Sequence, residues 1–94
     1  MEAIRVIVSF EQISLDASTA NPLSPPAGCH KAIVQAETAN VRLRMDGTAP
    51  TSSIGEILVA SGAVRELHAT EVYAAKFISS SGSAKINVHY YRTS

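Results

Sequence analysis

The residues Ala39-Asn40-Val41-Arg42-Leu43-Arg44-Met45-Asp46-Gly47-Thr48-Ala49-Pro50-Thr51 constrain the fold more than any other stretch, because they spell out a strand, both its faces and its turn. Val41, Leu43 and Met45 alternate with Arg42, Arg44 and Asp46. A period of two puts an apolar row on one side of a sheet and a charged row on the other. One face is therefore core, and the other meets water or a partner. Asp46-Gly47 ends the strand, since glycine supplies the positive φ of a tight turn, and Pro50 withholds a backbone donor so that the ladder stops. Gly47, Pro50 and Gly55 are the turn residues on which this region is expected to depend.

The same alternation recurs along the chain. Ile4 to Phe10 is dense in β-branched residues and apolar on nearly both faces, which predicts a buried strand or one at a subunit boundary, and Gln12 to Leu15 reads as a weaker second strand. Asp16 to His30 loses all periodicity. Pro22, Pro25 and Pro26 forbid helix and central strand there, so a long loop is expected, solvated or functional. Strands resume at Lys31 to Glu37 and, after a break at Thr38, at Ala39 to Asp46, and these two read as neighbours. Ile54 to Ala60 and Val64 to Ala69 flank a turn at Ser61-Gly62, and Glu71 to Ser79, though ambiguous with helix, is assigned to strand by its context. Ser79 to Ser83 reads as a hairpin connection. In the last strand Ala84, Ile86, Val88 and Tyr90 alternate with Lys85, Asn87, His89 and Tyr91.

Short strands at spacings of about ten residues point to an all-β, antiparallel β-sandwich or jelly-roll-like small barrel, with residues 1–94 as one domain. Ninety-four residues hold one modest core, built from Ile, Val, Leu and Ala since there is no Trp and there are only two Phe. Domains of this size often gain stability by oligomerising. Eight basic and eight acidic residues cancel, which removes the footprint of a nucleic-acid binder or of a protein drawn to anionic membrane. No apolar run approaches the roughly twenty residues of a spanning helix, and the N-terminus lacks the plan of a secretory signal. A single Cys29 excludes an internal disulfide and fits synthesis in a reducing cytoplasm.

Chemistry-bearing patterns are sparse. Cys29-His30 is the one adjoining pair of metal-capable residues, without a second pair at ligand spacing, so no metal or other cofactor is expected; a cupin-like metal enzyme requires His30, His68 and His89 to converge. Glu37, Asp46, Glu56, Glu66 and Glu71 supply carboxylates, but no spacing marks a glycosidase pair, and no nucleophile elbow or phosphate loop occurs. An enzyme is not expected. Arg42, Arg44 and Asp46 form a charged stripe suited either to a partner or to ion pairs with Glu37 or Glu56 within the chain. Tyr90-Tyr91 puts one ring on each face of the last strand, which makes the exposed one an interface candidate.

The segment Ala36-Glu37-Thr38-Ala39-Asn40-Val41-Arg42-Leu43-Arg44-Met45-Asp46-Gly47-Thr48-Ala49-Pro50-Thr51, with Gly55 after it and Lys85-Ile86-Asn87-Val88-His89-Tyr90-Tyr91 as a closing strand, resembles small β proteins of tailed bacteriophages and prophages. The resemblance spans residues 31 to 91. It implies a non-enzymatic virion structural protein, a capsid decoration or cement subunit or a head- or tail-associated one. On that reading the protein is made in the host bacterial cytoplasm and ends in the virion. Its partners are other virion proteins, such as the major capsid protein, and copies of itself, with a homotrimer the expected oligomer. No contact with nucleic acid or membrane is implied. The interface candidates are Ile4, Val6, Val8, Phe10, Arg42, Arg44, Asp46 and Tyr91, and Arg44→Glu is expected to weaken assembly while leaving the fold intact. The competing class is a carbohydrate- or small-ligand-binding β module using Tyr91 or Tyr73 with His89 and nearby carboxylates.

Overall fold

In the computed structural model, which describes residues 5–93, the alternating segments become two antiparallel sheets. The strands are β1 (Arg5–Leu15), β2 (Asn21–Pro22), β3 (Lys31–Glu37), β4 (Val41–Arg44), β5 (Glu56–Leu58), β6 (Val64–His68), β7 (Lys76–Ser79) and β8 (Ala84–Thr93), with one short helix, α1 (Thr70–Ala74). The first sheet has the order β1-β8-β3-β6 and the second β2-β7-β4-β5. β1 pairs with β8, β2 with β7, β3 with β6 and β4 with β5, all antiparallel. That nesting describes one long antiparallel ribbon, closed at the β4–β5 end and folded over so that β3 also meets β8 and β4 meets β7. It is the strand order of a jelly-roll sandwich. The sheets remain two open four-stranded layers, so the small-barrel form of the expectation does not hold.

The core lies between the layers and follows from the period of two. Ala32, Val34 and Ala36 of β3, Ala84, Ile86, Val88 and Tyr90 of β8, and Leu67 of β6 face Val41, Leu43, Leu58 and Phe77 of the second sheet in one buried cluster. Each of the larger side chains contributes about 1.5–3 kcal/mol by leaving water. Met45 packs partly against this cluster, while Arg42 and Arg44 stand on the outer face, as the alternation requires.

Several local expectations fail for identifiable reasons. The two N-terminal strands are one continuous β1: its pairing with β8 runs unbroken from Ser9 to Leu15, through Glu11 where the break was expected, and a bulge falls earlier, between Ile7 and Ser9. β3 and β4 are not neighbours: Thr38, at φ 80, turns the chain from the first sheet into the second. Likewise the Ser79 to Ser83 link joins β7 to β8 across the two layers and closes no hairpin. β5 is shorter than its apolar run, and Glu71 to Ser79 splits. Residues Thr70–Ala74 form α1, anchored by buried Val72, with Glu71 Oε1 accepting the His68 N–H at 2.9 Å; only Lys76–Ser79 is strand.

The Asp16 to His30 segment is docked, with Leu23 and Cys29 buried. Asp16 Oδ1 accepts from Ser18 and Thr19 N–H, and these bonds, the Ser18 backbone one foremost, hold its carboxyl below the usual range. Pro22 sits in β2, an edge strand, where its missing donor costs nothing. Farther on, the Tyr90 hydroxyl donates to Glu11 Oε2, and Ser24 N–H reaches both of those oxygens at 3.2 Å. Tyr73 Oη donates to Cys29 O at 2.9 Å, which ties α1 to the end of the same segment.

Candidate interaction surfaces

The bulge decides what the outer face of the first sheet displays. Ile7 lies opposite Tyr91, and beyond the bulge Phe10 lies opposite His89, with Val8 left without a partner in the register. Without the extra residue, an odd separation would put Ile7 and Phe10 on opposite faces. With it both point outward, 57% and 52% exposed, while Val8 packs toward the core. β3 continues these rows with Lys31 beside Tyr91 and Ile33 beside His89, and β6 adds His68 and Glu66.

Contacts within the face fix its side chains. The Phe10 and His89 rings are 4.9 Å apart at an interplanar angle of 50°, Lys31 Nζ stands 5.7 Å from the Tyr91 ring centre, and Lys31 also pairs with Glu66 at 3.0 Å. In the next row Gln12 Nε2 donates to Asn87 Oδ1 at 2.9 Å and to Glu37 Oε1 at 3.3 Å, and Asn87 Nδ2 donates to Glu37 Oε2 at 3.3 Å. The result is an aromatic row beside an amide and carboxylate row, spread over three strands.

The lateral margin where β5 and β6 are the outermost strands has a different chemistry. Arg65 Nε of β6 lies 2.8 Å from Glu56 Oε2 of β5, a contact of charge without hydrogen-bond alignment, and it bridges the two sheets across the core's open side. Ile57 and Val64, the chain neighbours of this pair, are 49% and 57% exposed, and Ile54 and Val59 close by in the chain are 57% and 43% exposed. These are aliphatic side chains in water, where an edge is ordinarily guarded by charge.

The candidates named from sequence divide between these places. Ile4 lies outside the described residues, as does the Val6 side chain, although Val6 belongs to β1. Phe10 and Tyr91 share the outer face of the first sheet. Arg42, Arg44 and Asp46 belong to the opposite side, on and after β4. Arg42 turns inward on its own loop: Nε donates to Ser52 O at 3.1 Å and Nη1 to Gly55 O at 2.8 Å. Arg44 pairs with Asp46 at 2.5 Å, so its partner is neither Glu37 nor Glu56. Gly47 has φ 85, Pro50 is buried, and a Cβ on Gly55 would lie 3.1 Å from Leu43 O. Among the described residues no group of three or more His, Cys, Asp or Glu is placed to hold a metal, so the convergence of His30, His68 and His89 that a cupin-like centre needs does not occur. Tyr73 sits on α1, with its hydroxyl spent on Cys29 O at 2.9 Å.

The carboxylates are engaged one by one. The Arg44 guanidinium holds Asp46 below the usual carboxylate range, chiefly through the hydrogen bond, and Lys31 does the same to Glu66. Both shifts run opposite to what a general acid needs. Sequence reading missed Ile7, Ile33, Gln12 and Asn87 on the first face and the whole aliphatic margin. The alternation in β8 carried a signal for Asn87; the bulge left none for Ile7. Comparison of the chain with protein-family models, with curated proteins and with solved structures found no match.

Proposed function

We propose that this protein is a non-enzymatic structural subunit of a tailed-bacteriophage particle, of the capsid decoration or head- or tail-associated kind, working through contacts with its own copies and with other virion proteins. The observation that carries the reading is the aliphatic β5–β6 margin, where Ile54, Ile57, Val59 and Val64 are each more than two-fifths exposed. Burying the exposed half of one such side chain against a neighbour is worth about 1 kcal/mol, and a rotationally symmetric ring lets one small chain cover its own margin. Arg44 at the end of β4, the strand next to β5, and Asp46 just after it are suited to fixing register at such a contact. The likeness of residues 31 to 91 to phage virion proteins supplies the biological setting. Light scattering coupled to size exclusion tests the reading. A homo-oligomer is expected, with a trimer at three times the mass of the 94-residue chain. A monomer at all concentrations speaks against self-association.

A further inference from the structure

The outer face of the β1-β8-β3-β6 sheet carries aromatic and amide side chains that β5 lacks, although Val64, opposite Gln35, also lies on it. We infer that it is a binding site for the neutral hexose units of a glycan, with Phe10 and His89 as the stacking platform and Gln12, Asn87 and Glu37 as the hydroxyl-binding row. Phe10 is about half exposed, with its ring centre 4.9 Å from that of His89 at an interplanar angle of 50°. Aromatic faces attract the polarised C–H face of a pyranose, whereas aliphatic side chains such as Ile57 of β5 offer no comparable π surface.

The polar row lies one pleat repeat farther along the same strands, about 7 Å from the aromatic row, since Gln12 follows Phe10 and Asn87 precedes His89 at a spacing of two residues. A sugar seated on Phe10 therefore has its hydroxyl edge over that row. Both hydrogens of the Gln12 amide are used within the row, which leaves Gln12 Oε1, one Asn87 N–H and the remaining lone pairs of Glu37 directed to a ligand. This mixed set, rich in acceptors, suits hydroxyl groups, which donate and accept at once. The Glu37 carboxylate disfavours acidic sugars.

A second protein copy fits this face less well. Lys31, Glu66 and Glu37 stand among its rows, and sealing such charges in a dry interface carries a desolvation cost that a small hydrated ligand avoids. The oligomer proposed above shares Val64 with this face but none of Phe10, Gln12, Glu37, Asn87 and His89, so the two readings are tested by different residues.

The test is an NMR titration of the native protein with methyl α-mannopyranoside, methyl β-galactopyranoside and methyl β-glucopyranoside, with N-acetylneuraminic acid as the anionic arm. At least one neutral glycoside is expected to bind with Kd of about 1–10 mM, shifting the amides of Phe10, Gln12, Glu37, Asn87 and His89. Phe10→Ala should weaken binding at least tenfold and Glu37→Gln at least threefold, with both spectra otherwise native. No shift with any neutral glycoside, shifts mapping elsewhere, or tighter binding of the acidic sugar would each overturn the assignment. So would conversion of an oligomer to monomer by Phe10→Ala, since that result would give the face to a second copy.

Discussion

Replacing Tyr90 by Phe removes one oxygen from a fully buried ring, and the structure allows the consequence to be worked out. The Tyr90 hydroxyl donates to the Glu11 carboxylate and accepts from Ser24 N–H. Hydrogen bonds to charged groups contribute about 1.5–3 kcal/mol net. Ser24 N–H keeps Glu11 Oε2 at 3.2 Å, so no donor is orphaned and the lower part of that range applies, about 1.5–2 kcal/mol. For a domain of this size the Tm should fall by about 6–16 °C. A second signature separates this bond from general packing. Burial first, and then the bond to Glu11, hold the Tyr90 proton well above the ordinary tyrosine value of 10.0. The unfolded chain releases that proton near its ordinary value while the folded chain keeps it. The contribution is thus complete below about pH 10 and is lost above it by up to 1.4 kcal/mol per pH unit, roughly. Urea unfolding of both proteins from pH 7 to pH 11.5 should show a stability gap that is flat to about pH 10 and then narrows. Equal stability at pH 7, or a gap that stays constant through the alkaline range, refutes the reasoning.

Other perturbations probe the turns. Thr38 is β-branched, exposed and held at φ 80, so Thr38→Gly should stabilise the fold by about 0.5–1 kcal/mol in urea unfolding, relief of strain exceeding the added freedom of the unfolded chain. Gly55→Ala should cost about 2 kcal/mol or more by the same assay, because φ is 137 and the new Cβ meets Leu43 O at 3.1 Å and the Pro50 Cβ at 3.2 Å. Arg42→Met keeps the aliphatic stem but frees the loop that the guanidinium holds, at about 1–3 kcal/mol. Amide hydrogen exchange should then accelerate from Thr51 to Gly55 with β3 and β8 unchanged.

The sequence made faces legible and left neighbours hidden, and particular strands show why. Val34 and Ile86 announce a buried face by alternating with polar residues, yet nothing in β3 or β8 says that those strands lie side by side with four further strands and α1 between them in the chain. Alternation reports only which side of a strand is dry; pairing is decided by how the whole ribbon folds over. The links at Thr38 and at Ser79 to Ser83 look like hairpin turns because turn residues serve a change of sheet as well as a return along one. The helix at Thr70–Ala74 spans little more than one turn, too short to show a period, and tertiary anchoring through Val72 outweighs the β-rich context. Of the candidate surfaces, Phe10 was legible as part of a boundary strand and Tyr91 as the ring on the face opposite Tyr90. Ile7 required the bulge, and the margin required knowing that β5 and β6 end their sheets.

Self-association through the β5–β6 margin is the centre of the account, and sedimentation velocity of three proteins side by side tests it most directly: the native chain, the double variant Ile57→Lys with Val64→Lys, and Phe10→Ala. Both lysines fall on exposed positions, so the fold should persist in every sample. The native chain and Phe10→Ala should each sediment as an oligomer, and the double variant as a monomer. A native monomer, or an oligomer that survives both lysines, would contradict the account.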